Sequence, residues 1–367
     1  METVDIAIVG AGIAGLTCAQ QLQQAGYRVA VLEKSRGVGG RLATRRLPHD
    51  RADHGTCYLS PKGELFRELI AHLLERDVVQ VWTDTAYTLS SDRTLQASPD
   101  RVPRYVAPDG MSAIAKYLAT GLDIRFSQRV IGLELISDQT WNLTIENTQP
   151  AAAPSTLKAS AVLVAIPAPQ AVTLLEPLEK NVVSSELIQP LRSVEFDPCI
   201  AVMAGYPEDC LQQWQATYGE VKEIAVQHPD LGWIGLDSSK RRNSSQPIFV
   251  VQSTAAFANQ FLDAADLSPV GQKLLQSAAE HLLPWLATPE WIQVHRWRYS
   301  FAVRPLSDRY WSAATLAPLV CAGDWCGGMR VESALLSGLE AAEYLNQQMG
   351  DRPQSNHGSR YSQQCSD

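Results

Sequence analysis

Three shortages narrow the possibilities before any motif is considered. The seven cysteines are odd in number and no Cys-x-x-Cys spacing occurs, so neither a disulfide framework nor a zinc site is supported. No apolar run approaches the ~18 residues of a membrane span. There is no basic excess, because the net charge is −8 and a nucleic-acid binder needs a basic face. The first apolar run begins within a few residues of Met1, which leaves no room for a secretory leader. The expectation is a reduced, cytoplasmic protein with no nucleic-acid or membrane partner. What remains is 45% hydrophobic and 19% charged over 367 residues, a globular composition long enough for two cores.

The stretch VDIAIVGAGIAGL, Val4 to Leu16, carries the first positive signal. Ile6 to Val9 is short, apolar and partly β-branched, the pattern of a buried strand. Leu16, Ala19, Leu22 and Gln23 follow at helical spacing, and Gly26 stops them. A second apolar run, Val29 to Leu32, ends at Glu33. Gly10, Gly12 and Gly15 form G-x-G-x-x-G between strand and helix. Gly10 permits a sharp turn, Gly12 lets backbone approach a pyrophosphate, and Gly15 lets helix pack on strand. Ile13 and Ala14 open the helix, whose N-terminus offers amides and a positive dipole end to phosphate. Glu33, about twenty residues on, can accept from ribose hydroxyls. A glycine turn in an ordinary α/β protein would not need that acid in register.

The glycine motif alone does not separate NAD from FAD. The continuation KSRGVGGRLATRR, Lys34 to Arg46, places Gly37, Gly39 and Gly40 among Arg36, Arg41, Arg45 and Arg46. A charge run of this kind is often a solvated loop. Here it follows directly on the ribose-binding acid, which favours a pyrophosphate partner.

These residues resemble the start of the FAD-containing amine oxidase superfamily. RADHGTCYLS, Arg51 to Ser60, resembles its next glycine element, with Asp53 and Gly55. LVCAGDWCGGMRVESALLSGLEAAEYL, Leu319 to Leu345, resembles its last one, with Gly323-Asp324 before a helix start. Within the superfamily the resemblance narrows to the renalases through RYVAPDGMSAIAKYL, AVLVAIPAPQAVTLL, WIGLDSSKRRN, FVVQSTAAFANQFL and HRWRYSFA. The resemblance implies a Rossmann-type α/β FAD-binding domain beside an α+β substrate domain whose antiparallel sheet covers the flavin. It implies non-covalent FAD held by Gly10, Gly12, Ile13, Ala14, Gly15, Glu33, Lys34, Gly40, Arg41, Asp53, Gly55, Val130, Gly323, Asp324, Val331, Glu332, Ser333 and Ala334. Asp324 would meet the ribityl–phosphate region, and the backbone from Glu332 to Ala334 would face the flavin pyrimidine.

The same resemblance divides the chain. Residues 1–60, 105–168 and 296–350 would form the FAD domain, 61–104 and 169–295 the substrate domain, and 351–367 a disordered tail. Tyr58, Gln252 and Trp297 are the substrate-face candidates. Gln252 departs from the histidine of animal renalases, which puts proton transfer there in doubt. Trp297, with Arg298 and Tyr299, could equally be packing. His54 lies beside Asp53, where its side chain could simply cap a turn; His228 and His295 show no partner in sequence, and no Ser-His-Asp or metal-spaced cluster stands out. The implied reaction is hydride transfer to flavin without an obligatory side-chain base. The substrate would be an isomeric 1,2- or 1,6-dihydronicotinamide form of NAD(P)H, with O2 reduced to H2O2. An amine oxidase or desaturase on the same scaffold, or a flavin-binding protein without turnover, remains open.

Overall fold

The computed structural model describes residues 2–48, 50–136, 139–148, 154–180, 182–244 and 246–352. Its first layer is a parallel-centred sheet. Thr3–Val9 lies in the middle, with Val29–Glu33 and then Asp123–Phe126 on one side and Ser155–Val164 on the other, all parallel. Ser155–Val164 also pairs antiparallel with Trp141–Asn147, which pairs with Gln128–Leu135. Near its end it takes Leu319–Cys321 in parallel, so the chain's last strand closes the sheet opened by its first.

The glycine turn behaves as its spacing demands. Gly10 has φ +105°, and a Cβ there would stand 2.6 Å from the Ala165 carbonyl oxygen. A Cβ on Gly15 would stand 2.1 Å from the Gly10 carbonyl oxygen, whereas one on Gly12 would meet nothing within 4 Å. Gly15 therefore sets the distance from helix Ile13–Gln24 to the strand, and Gly12 faces open space where a ligand can approach. The helix Val331–Gln348 packs along Ile13–Gln24.

The second layer is a seven-stranded sheet. In order it contains Trp291–Arg304, Glu195–Gly205, Ile248–Ser253, Leu231–Leu236, Glu223–Val226, Tyr87–Leu89 and Leu95–Ala97. All neighbours are antiparallel except Glu223–Val226 with Tyr87–Leu89. Its strands alternate. Ile200, Val202, Phe249 and Val251 join residues of helix Ser268–His281 in a core of their own. Met203 and Val250, on the other face, pack with Ala52 and Cys57 of the first domain.

Three features differ from the division expected from the sequence. Helix Glu64–Glu75 buries Phe66, Leu69, Ile70 and Leu73 in the core of the first domain. The stretch Ala168–Arg192 likewise sends Leu174, Leu175, Ile188 and Leu191 onto the opposite face of the first sheet. Their apolar faces need a sheet to cover, and the first sheet has two. Residue 295 is no boundary, because it lies inside the continuous strand Trp291–Arg304. Residues 353–367 of the expected tail lie outside the described residues.

Gly15→Val would drive a β-branched side chain into the Gly10 carbonyl and push the helix from the strand. The expected outcome is a folded protein that loses most of its FAD, measured as flavin absorbance per protein by gel filtration. Retention of a full complement would refute the packing argument.

Candidate active site

The two layers enclose one large cavity of about 2010 Å3. Single small-molecule pockets run to roughly 300–1,000 Å3, so the space accommodates a cofactor and a substrate together. Its nucleotide end is built from the glycine turn. Gly10, Gly12, Ile13, Ala14, Glu33 and Lys34 all line it. The Glu33 carboxylate is fixed by the Ala11 and Ser35 amides, each donating at 2.8 Å. That orientation leaves further lone pairs for ribose hydroxyls. The Gly37–Arg46 loop continues the wall. Arg41 crosses the cleft and donates to Asp324 Oδ1 at 2.6 Å and to the Ser300 carbonyl at 3.2 Å. Gly40, Arg41, Gly55, Gly323, Asp324, Val331, Glu332 and Ala334 also line the cavity.

The C-terminal helix presents its N-terminus to this space. The first helical hydrogen bond is from Ala334 N to the Arg330 carbonyl, so the amides of Val331, Glu332 and Ser333 precede it and carry the positive dipole end. Ala334 therefore contributes its small side chain and not an amide. The Glu332 carboxylate turns away and accepts from the Lys62 and Gly63 amides at 2.9 and 2.6 Å. Ser337 Oγ, one turn on, accepts from Gly323 N at 2.9 Å and pins the Gly323-Asp324 turn to the helix.

Four expected cofactor residues do not face the cavity. Gly15 acts by packing, as above. Val130 is in the core beneath the first sheet, and the Ser333 hydroxyl lies against Gly328. Asp53 is the clearest correction. It is fully buried (0% exposed) and belongs to a cluster of two acids and two bases. Arg241 donates to Asp53 at 2.8 Å and to Asp237 at 2.6 Å, and Lys240 donates to Asp237 at 2.6 Å. Thr44 Oγ1 and Met111 N also donate to Asp53. Burial opposes the Asp53 charge, but Lys240 and Arg241 prevail and hold its pKa below the ordinary value. The cluster ties the glycine element of the first domain to the segment after Leu231–Leu236 of the second.

The substrate face is a row across the second sheet. Register places His295 opposite Ala201, Ala201 opposite Gln252 and Gln252 opposite Trp233. His295, Gln252, Trp233 and Trp297 line the cavity, with Tyr58 from the first domain. Gln252 donates to the Gly55 carbonyl at 2.9 Å. Trp297 donates to the His54 carbonyl at 2.8 Å and stacks on the His54 ring at 5.4 Å. Tyr58 lies under the Arg104 guanidinium at 4.5 Å. Arg104 pairs with buried Glu223, which also accepts from Trp233 Nε1 at 2.5 Å. The three candidates Tyr58, Gln252 and Trp297 are thus brought together. His54, His295 and Trp233 were missed as site residues. The period-two spacing of His295 and Trp297 was a usable signal, but the register that brings Gln252 and Trp233 beside them was not.

Neither histidine is placed to gain a proton. Burial, then His295 and Arg45, pulls the His54 pKa down to about 3. Burial, then Arg45 and Arg296, pulls His295 down to about 4. Burial pushes the Cys57 thiol up to about 12. The cavity-lining lysines are Lys34, beside Glu33, and Lys116, on helix Ser112–Leu118.

A two-layer fold with a glycine-turn nucleotide site and a sheet over its open end defines a dinucleotide-binding protein. Residues 8–73 match the NAD(P)-binding Rossmann-like domain, and residues 83–346 match the flavin containing amine oxidoreductase family. The chain belongs to that family, and FAD is its cofactor. It is 42% identical over 64 residues to an L-amino-acid oxidase of Siganus canaliculatus and 46% over 65 residues to one of Crotalus adamanteus. These matches cover 17% and 18% of this chain and only 12% and 13% of those relatives. A putrescine oxidase structure with bound putrescine superposes with TM-score 0.68 at 15% identity, covering 94% of this chain and 99% of that one. Cyclohexylamine oxidase from Brevibacterium oxydans gives 0.67 at 12% identity, with coverage of 94% and 99%. At such identities the likeness is one of fold. No helix among the described residues is long and apolar enough to cross a membrane.

Two outcomes follow. Lys240→Met leaves Asp53 and Asp237 sharing one cation and should cost about 3–5 kcal/mol, read as a fall in Tm. Adding Asp237→Asn should restore part of the loss. The second concerns pH. Below an ordinary histidine pKa of 6.5, the unfolded chain protonates both imidazoles while the folded chain keeps them neutral. Their contribution to stability is complete above that pH and is lost as pH falls toward 4 and then 3. The double variant His54→Gln/His295→Gln should lose Tm less steeply than wild type between pH 6.5 and 4.5.

Proposed function

We propose that this protein is a renalase-like oxidase of isomeric dihydronicotinamide nucleotides, the 1,2- or 1,6-dihydro forms of NAD(P)H. The carrying observation is the charge of the cavity. Its five carboxylates, Glu33, Asp50, Asp109, Asp324 and Glu332, are all engaged by amides, hydroxyls or arginines. Each of them already has a partner, while an anionic nucleotide meets an excess of bases.

Bound FAD supplies hydride acceptance and onward delivery of two electrons to O2, so that a dihydronicotinamide, a proton and O2 give NAD(P)+ and H2O2. The chain's own residues position and exclude. Trp233, Tyr58 and Trp297 supply flat apolar surface for a planar ring. Gln252 cannot hold a charge-neutralising proton, and its bond to Gly55 leaves its carbonyl oxygen to accept from an amide such as a carboxamide. His54 and His295 stay neutral through the working pH range, consistent with a hydride donor that needs no deprotonation. The helix N-terminus at Val331–Ser333 favours negative charge on the reduced cofactor by ~0.3–2 kcal/mol.

Oxidation of amines is the second reading. It is favoured by the likeness to putrescine and cyclohexylamine oxidases and opposed by the cavity's charge. Anaerobic mixing distinguishes them. Borohydride-reduced NAD, which contains the isomers, should bleach the flavin quickly, ordinary 1,4-dihydro NADH much more slowly, and putrescine or benzylamine hardly at all. Fast bleaching by an amine with none by the isomers would replace the first reading with the second.

A further inference from the structure

Ten arginines and lysines line the cavity against five acids, in a chain whose net charge is −8. Several of these cations are already committed. Arg41 pairs with Asp324, Arg51 with Asp109 and Arg298 with Asp263, and Arg296 donates to the Phe261 and Ala264 carbonyls. Arg45 is not. Its Nε is buried, and no described residue accepts from it. His54 Nδ1, also buried, has no partner among the described residues either.

The placement of Arg45 follows from the hairpin Thr44–Arg46 with Arg51–Asp53. Alternation along a strand sends Arg45 and Arg46 to opposite sides. Arg46 and Arg51 approach Lys116 closely enough to disfavour its charge. Arg45 approaches His54 and His295, and its charge disfavours protonation of both. The rings of those histidines are 4.5 Å apart, and His295 is 4.4 Å from Trp297. Arg45 therefore borders the substrate row of the second sheet and not the Gly12–Glu33 end that receives the flavin nucleotide. A buried guanidinium donor without an acceptor is costly. The half-buried guanidinium nevertheless lines the cavity with no ion pair among the described residues, so its terminal nitrogens are the ones a ligand would meet, and the planar fork of arginine matches phosphate.

We infer that Arg45, flanked by His54 and His295, is an anion subsite in the substrate half of the cavity and grips a phosphate of the nicotinamide nucleotide. The ligand class rests on the function proposed above; the anion subsite itself does not. Arg45 is a specificity-determining residue that anchors the part of the substrate remote from the reacting ring, and the neutral imidazoles beside it add hydrogen bonds without competing charge.

The test is made on oxidised holoprotein, without turnover, by following the flavin absorbance change on titration with nicotinamide mononucleotide, nicotinamide riboside and inorganic pyrophosphate. The mononucleotide should bind about tenfold or more tighter than the riboside, the worth of one charge-assisted contact. Arg45→Gln should keep its FAD and bring the two affinities together. Arg309→Gln, a surface variant outside the cavity, should leave the difference intact. If mononucleotide and riboside bind equally to wild type, or if Arg45→Gln leaves their ratio unchanged, the subsite is refuted while the nicotinamide reading stands. Loss of FAD from Arg45→Gln would also refute it, by assigning Arg45 to the cofactor. If neither nicotinamide compound binds but pyrophosphate does so in an Arg45-dependent way, the anion subsite holds and the nicotinamide reading fails.

Discussion

The buried quartet of Asp53, Asp237, Lys240 and Arg241 is the constraint on which the site depends. Two charges of each sign with no access to water are tolerable only while every member keeps its partners. Asp53 comes from the first domain, and the other three come from a short segment of the second. Their mutual geometry therefore fixes how the second sheet sits on the glycine element. His54, Gly55 and Cys57 follow Asp53 by one to four residues and form the floor on which Trp297 and Gln252 close. Displacing the quartet would loosen the cavity at the point where substrate and flavin must meet.

A second level of order builds on that clamp. Glu223, buried in the second sheet, holds Arg104 and Trp233, and Arg104 covers Tyr58. Polar groups that cost energy to bury are thus arranged in closed sets, which leaves the face toward the flavin aromatic. Arg45 Nε and His54 Nδ1, which have no partner among the described residues, stand apart from these sets.

The nucleotide end was legible because its physics is local. Gly10, Gly12 and Gly15 act within one turn, and Glu33 closes the same strand–helix–strand unit. The helix from Val331 was legible for the same reason. Asp53 was misjudged because its partners lie about two hundred residues away, and nothing in RADHGTCYLS announces Lys240 and Arg241. The domain division differs where the apolar helices Glu64–Glu75, Ala168–Leu175 and Ser185–Arg192 cover the first sheet instead of the second. The substrate row was hidden because register between distant strands decides which side chains become neighbours.

The cofactor site is assembled from the two ends of the chain. Helix Val331–Gln348 lies on helix Ile13–Gln24, with Gly338 so close to Ala14 that a Cβ would stand 2.4 Å from its carbonyl oxygen. Strand Leu319–Cys321 completes the sheet begun at Thr3. Contacts of such sequence separation are slow to form, because a long loop must close before they repay its entropy. During synthesis the first glycine turn waits for more than three hundred residues before its partner leaves the ribosome. Until then the face of Ile13–Gln24 that receives this helix has no cover, and an uncovered apolar face is where a partly made chain can misassemble.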